Sequence, residues 1–348
     1  MRTLPGCSTG ICASIGRTCS DSRTVQRVIE AGANNIRFAL GLRDRDFFKD
    51  LEVVCAAAEA AGQEVDFLFD LPSTRPRVGV MPTRRFQPGD RVLIKDQERD
   101  DGTGAGFIPV PGIRAFAAQM KRGDRVFFRD NHQEFRLQTD GHEPLLIAEC
   151  VECAEPIQSC VGCSFPDSDM VYKPISAQDA ELMRGVAERG LRPAAVVPSF
   201  ITGPEPLTQT RAFVDEVWPG GGVEVFAKFE VASALDIAND LISVADGGLI
   251  GRGDLGMSLA PEQLPRAQRQ VAEAARAAGK PFLVASQILE RYAATGVPYR
   301  AELSDISLSI QQGARILVLC QETNDSQRPV EAVAMARRVI EAEAACAS

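Results

Sequence analysis

Histidine is nearly missing from this chain of 348 residues: there are two, His132 and His142, both in one central segment. The rest of the chain has no imidazole to serve as a base or a ligand. A metal site there must be built from oxygen donors, which favours Mg²⁺ or Mn²⁺ over zinc. Proton transfer there falls to lysine, serine, carboxylate or water. Basic residues are outnumbered as well. The chain has 38 Lys and Arg against 47 Asp and Glu, a formal charge of -9, which argues against a nucleic-acid or membrane-surface partner. No apolar run is long enough to span a bilayer. The opening, Met1 to Gly16, has no basic region followed by an apolar core. No signal peptide is expected, and the cytoplasm is the expected compartment.

What is present is enough for a large core: 45% of the residues are hydrophobic. That length and composition suit one large α/β domain or two domains. The lead stretch runs from Val223 to Gly256. It reads as strand, helix, strand, then a glycine-rich turn. Residues two apart on a strand point the same way, so Lys228 and Glu230 project together from the strand Val223–Phe229. The next strand, Gly247–Gly251, runs into Arg252-Gly253-Asp254-Leu255-Gly256. If the two strands are parallel neighbours, Asp254 comes close to Glu230 with Lys228 beside both. Two carboxylates and an ammonium at a strand mouth can hold a hard divalent cation and stabilise an anionic substrate. A structural salt bridge is the plainer reading of the same residues.

The chain around it keeps a βα rhythm. Strands are expected at Gly10–Ile15, Asn35–Leu40, Val65–Phe69, Ala194–Phe200, Pro281–Ala285 and Arg315–Leu319, each followed by a helical stretch. Ser176 to Asp179 has the form of a capping box. With the two lead strands this makes eight, the pattern of a (β/α)8 TIM barrel. The barrel would comprise residues 1–71 and 174–348. Between them, residues 72–173 turn β-like, with Arg91–Ile94 and Arg125–Phe128 each following Gly-Asp as hairpin arms do. They are expected to form a small inserted, lid-like β domain.

Of ten cysteines, Cys7, Cys12, Cys19, Cys55, Cys320 and Cys346 are scattered and read as small buried residues. The other four are grouped in the insert as Cys150-Val151-Glu152-Cys153 and Cys160-Val161-Gly162-Cys163. Two Cys-x-x-Cys pairs this close suggest a structural zinc site, with His132 and His142 as spare ligands. A redox dithiol pair, an iron–sulfur centre or plain thiols are the alternatives. Arg75, Arg77, Arg84 and Arg85 form a basic cluster, either along a cleft or on a solvated edge.

Taken together, these motifs resemble the pyruvate kinase family. The resemblance covers about Gly10 to Glu343. It rests on Gly253-Asp254-Leu255-Gly256 with Lys228-Phe229-Glu230, on Ala285-Ser286-Gln287-Ile288-Leu289-Glu290, on Arg300-Ala301-Glu302 with Ser304-Asp305, and on Glu322-Thr323. It implies that Glu230 and Asp254 hold Mg²⁺ and that Lys228 neutralises the phosphoryl group in flight. Arg37 would hold the substrate phosphate, and Gly253 would meet the substrate carboxylate. Ser286 replaces a family threonine near the enolate face. Asp70 and Arg77 match family positions, Asp130 falls near a family acid, and Arg75 replaces a glutamate. Its fixed charge could stand in for a potassium ion.

Elsewhere the pattern departs from the family. After the second strand the chain reads Arg37-Phe38-Ala39-Leu40-Gly41-Leu42-Arg43, without the family's Asn, Ser and His. The insert's nucleotide lysines are replaced by Cys160-Val161-Gly162-Cys163. The enolpyruvate and metal half of the site is kept, and the nucleotide half is eroded. The family's carboxy-terminal effector domain is expected to be absent. The resemblance thus implies a phosphotransferase on phosphoenolpyruvate or a related enol acid, with ADP or a different acceptor. A metal-dependent lyase, decarboxylase or aldol-type enzyme on a 2-oxo acid, and a non-catalytic sensor, are the alternatives. A homo-oligomer stays open.

Overall fold

The computed structural model describes residues 1–348 apart from 42–44, 101, 103–105, 129–132, 169 and 348. Arg43, Asp130 and His132 therefore lie outside the described residues. The chain divides into two compact units, one of Met1–Ser73, Lys173–Leu255 and Pro261–Ser348, the other of Thr74–Tyr172 and Gly256–Ala260.

Fourteen strands are described in chain order: β1 Gly10–Ser14, β2 Asn35–Ala39, β3 Asp66–Leu71, β4 Arg91–Lys95, β5 Phe107–Pro109, β6 Arg125–Phe128, β7 Gln133–Leu137, β8 Leu146–Cys153, β9 Cys163–Ser164, β10 Ala195–Pro198, β11 Glu224–Phe229, β12 Gly247–Gly251, β13 Phe282–Ala285 and β14 Ala314–Leu319. In the first unit β1, β2, β3 and β10 to β14 close into an eight-stranded barrel, every neighbouring pair parallel. This is the (β/α)8 fold expected from the βα rhythm.

Local signals set the helices that separate the strands. The Asp21 carboxylate accepts the Thr24 N–H and caps Ser22–Glu30. Gly62, at φ 62°, ends Phe47–Ala61 in the left-handed conformation that glycine adopts at no steric cost. Ser176 and Asp179 form the reciprocal capping box of Ala177–Glu188. One expectation changes in detail. The glycine-rich segment after β12 is not an open turn, because Arg252–Ser258 coils into a short helix. The helix before β14 runs from Arg300 to Gln311, with Glu302 in its first turn.

Alternation along the strands fills the barrel interior. Cys12, Leu68, Ala195, Val197, Phe226, Leu249, Leu283, Ala285, Ile316 and Val318 form one buried cluster. This plug of side chains closes the barrel, so chemistry must sit at its ends, and in such barrels it sits at the carboxyl end of the strands.

In the second unit the sheet runs β5-β4-β8-β7-β6-β9. β6 and β7 form an antiparallel hairpin. β4 does not: its antiparallel partner is the distant β8, and it pairs with β5 in parallel. The Gly89-Asp90 turn thus starts a strand without making a hairpin.

Candidate active site at the barrel rim

Each polar residue of the site comes from a strand's carboxyl end, and the parallel register sets them side by side. Ser14 on β1 lies opposite Arg37 on β2, and Asp70 lies opposite Ala39 across β2 and β3. Arg37 donates from Nε to Asp70 Oδ2 at 2.8 Å and from Nη1 to Ser14 Oγ at 2.9 Å. Lys228 Nζ donates to Asp70 at 3.0 and 3.1 Å and to Ser199 Oγ at 2.9 Å. It also pairs with Glu230 Oε1 at 2.7 Å. The three N–H groups of the ammonium are thus shared among Asp70, Ser199 and Glu230. Glu230 Oε2 accepts the Phe200 N–H at 3.1 Å, which ties the end of β10 to the end of β11. Gly251 is required here, since a Cβ would stand 2.8 Å from Glu230 Cγ.

Asp70, Lys228 and Glu230 are all buried. Burial works against every one of these charges, and their neighbours decide the outcome. For Asp70, Lys228 and Arg37 outweigh burial and hold the carboxyl below its usual range. For Lys228, Asp70 and Glu230 outweigh burial and hold the ammonium above the usual lysine range. Asp70 likewise raises Arg37. Glu230 goes the other way. Burial pushes it up to about 7; Lys228 pulls it back down, and the nearby negative charges of Asp254 and Asp70 add to the upward push. Three carboxylates, Asp70, Glu230 and Asp254, face two cations, Arg37 and Lys228. The surplus negative charge is felt at Glu230. Oxygen donors with charge to spare are the kind a hard divalent cation takes, although among the described residues no three such side chains are gathered into a metal-holding group.

The loops around the site carry backbone strain. The described non-glycine residues with positive φ are Ser73, Cys160, Phe200, Ser286 and Gln287. Four of the five lie within two residues of the ends of barrel strands β3, β10 and β13. Such conformations cost about 1–3 kcal/mol each and persist where the surroundings impose them. At Ser286 and Gln287 the carbonyls are bonded to Arg252. Its Nε donates to the Ser286 carbonyl at 3.0 Å, and its Nη2 to the Ser286 and Gln287 carbonyls at 2.7 and 3.0 Å. Its Nη1 donates to both oxygens of Asp305 at 2.8 and 2.7 Å. Beyond the turn, Glu322 Oε1 accepts the Ile288 and Leu289 N–H groups at 2.7 and 3.0 Å, and Oε2 accepts the Cys320 N–H at 2.7 Å. The Ser286 hydroxyl donates to Cys320 Sγ at 3.6 Å, and its oxygen lies 3.8 Å from where a Cβ on Gly253 would be. Sequence reasoning gave no role to Arg252, Ser199 or Glu322. The roles of Arg252 and Ser199 have no local signal, since their partners lie tens of residues away; Glu322 belongs to the Glu322-Thr323 motif, but its bonds to Ile288 and Leu289 span more than thirty positions.

The arginines of the basic cluster belong to the second unit. Arg75 Nε donates to the Cys163 carbonyl at 3.1 Å, and Arg77 Nη1 to the Cys160 carbonyl at 3.0 Å. Arg84 donates to the Phe107 carbonyl at 2.9 Å and pairs with Asp100. The four insert cysteines are not gathered. Among the described residues no three or more His, Cys, Asp or Glu side chains form a group able to hold a metal ion. The expected zinc site at Cys150, Cys153, Cys160 and Cys163 therefore has no support, and the reason lies in the strands. Cys150 and Cys153 lie in the extended strand β8, about 10 Å apart at ~3.3 Å per residue, where a Cys-x-x-Cys knuckle needs a turn. Cys153, Gln133, Phe128 and Cys163 form one row across β8, β7, β6 and β9. Three strand spacings of roughly 4.8 Å separate Cys153 from Cys163 along the sheet. Burial pushes the Cys150 thiol up to about 11 and the Cys163 thiol up to about 12, away from the thiolate a metal needs. Cys160 is exposed.

A closed parallel barrel with a buried lysine–carboxylate network on its carboxyl rim defines a barrel enzyme whose chemistry is built on fixed charges. The pyruvate kinase barrel-domain model matches residues 7–333. A pyruvate kinase of Agrobacterium vitis is 30% identical over 339 residues, covering 95% of this chain and 68% of that protein. One from Thermococcus litoralis is 28% identical, covering 97% and 70%. The crystal structure of a pyruvate kinase from Cryptosporidium parvum shares the fold, with a TM-score of 0.82 at 21% identity over 98% of this chain and 70% of that one. The chain belongs to the pyruvate kinase family and is a phosphotransferase.

Proposed function

We propose that the chain is a Mg²⁺-dependent kinase that acts on phosphoenolpyruvate and passes its phosphoryl group to ADP or to a different acceptor. The observation that carries this reading is the Lys228 ammonium, buried and held between Asp70, Ser199 and Glu230. Phosphoryl transfer asks little covalent chemistry of a protein and much positioned charge. Lys228, kept charged by its carboxylates, neutralises the phosphoryl group during transfer. Arg37, oriented by Asp70 and Ser14, holds the phosphate. The Gly253 N–H meets the substrate carboxylate, and the Ser286 hydroxyl stands by the carbon that gains a proton. Glu230 and Asp254 would hold the Mg²⁺, which would supply a Lewis acid for the developing enolate. The domain reading accompanies this proposal: residues 1–71 and 174–348 as the catalytic barrel, residues 72–173 as an inserted β domain.

The acceptor is the open half. Ala39 and Gly41 stand where the family has Asn and Ser, which favours testing acceptors beyond ADP. A coupled assay with phosphoenolpyruvate, Mg²⁺ and ADP should release pyruvate and ATP. Pyruvate release only with another acceptor would keep the kinase and discard ADP. No pyruvate with any acceptor would remove the reading.

A further inference from the structure

The turn after β13 is held from both sides by buried charge. Arg252 uses all five of its N–H donors: three grip the Ser286 and Gln287 carbonyls, and two reach Asp305. Glu322 takes the next two amides, those of Ile288 and Leu289. Between these grips sit two consecutive residues in the left-handed region, Ser286 at φ 74° and Gln287 at φ 55°. Neither is glycine, so the conformation must be imposed. Its consequence is the placement of one hydroxyl, Ser286 Oγ, beside Gly253 and Cys320.

We propose that Arg252 and Glu322 are positioning residues that hold the Ser286–Gln287 turn left-handed, so that the Ser286 hydroxyl is presented to the substrate's reacting carbon. The inference rests on the kinase reading for the meaning of Ser286, and on the geometry alone for the clamp. The planar guanidinium matters, because a lysine ammonium has three donors on one atom and cannot reproduce the five-donor fork that reaches both carbonyls and both oxygens of Asp305. Misplacement of a reacting group by about 1 Å costs on the order of 100-fold in rate. A merely structural arginine would lower stability and leave the chemistry of Ser286 independent of it.

The test is a double-mutant cycle of Arg252→Lys and Ser286→Ala. Arg252→Lys should lower kcat by roughly 100-fold with KM little changed, and the double variant should be no slower than Ser286→Ala alone. Asp305→Asn, which keeps the guanidinium and removes its anchor, should give a smaller loss that Ser286→Ala also masks. It replaces Arg252→Lys if that protein does not fold. Amide hydrogen exchange gives a reading without turnover. Arg252→Lys should speed exchange at Ile288 and Leu289 while the barrel strands keep their protection. Losses that multiply across the cycle, or unchanged protection at 288 and 289, would overturn the clamp. If the parent protein turns over no substrate, the kinase reading fails, and exchange alone decides whether the clamp exists.

Discussion

The barrel unit and the inserted unit each carry a dense set of chemistry-bearing residues, and they end differently. In the barrel, Arg37, Asp70 and Lys228 come from three strands far apart in the chain, and Ser286 from the turn after a fourth. Parallel register brings the first three within hydrogen-bond distance of one another's partners at one rim. In the insert, four cysteines lie within fourteen positions of one another, from Cys150 to Cys163, and stay apart. Closeness along the chain counts for little once a segment is extended. At ~3.3 Å per residue, three positions already exceed what a single metal ion can bridge. A barrel does the opposite, because every strand returns to the same rim.

Four experiments press on that contrast. The largest effect is expected at Lys228. Lys228→Met should lower kcat by roughly 1,000-fold or more with substrate affinity largely kept. Steady-state kinetics check this, and an unchanged kcat would take Lys228 out of the chemistry. Next is Glu230→Gln, which should raise the Mg²⁺ concentration needed for half-maximal rate by roughly 10- to 100-fold, read from a metal titration.

A third experiment uses pH. Glu230 is raised in the folded protein, to about 7, above the usual glutamate value of 4.5. A raised carboxyl contributes stability that is present below its unfolded value and lost as pH rises through the folded one. Metal-free parent protein should therefore lose melting temperature relative to Glu230→Gln between pH 5 and pH 8, by a few degrees. Thermal scans of both proteins at the two pH values show it, and a difference that grows in the other direction would reverse the assignment of charge at Glu230.

The smallest effect belongs to the insert. Cys160→Ser should leave both rate and melting temperature within error. In the native protein a thiol reagent should label the exposed Cys160 early and the buried Cys163 late. Tight stoichiometric zinc, or equal protection of all four thiols, would contradict the separation of the cysteines.

Local signals made much of the fold legible. The alternation of strand and helix, the capping box at Ser176 and Asp179, and the glycine stop at Gly62 act within a few residues, so the eight-fold rhythm can be read directly. Lys228 and Glu230 were legible for the same reason, since two-residue spacing on a strand fixes a shared side. The bonds that finish the site were not. Arg252 reaches Asp305 across 53 positions, and Lys228 reaches Asp70 across 158. Nothing local to any of these residues encodes such partners.

By itself, then, the sequence determined the order of strands and helices and the kinds of charge available: carboxylates, lysine and arginine, with almost no histidine. Tertiary structure decided which of those charges meet. Lys228 became a buried cation shared by three residues, Glu230 became the carboxyl that burial pushes up, and the cysteines became separate thiols. The physical reason is that local conformation depends on neighbours in sequence, whereas pairing, burial and protonation depend on neighbours in space.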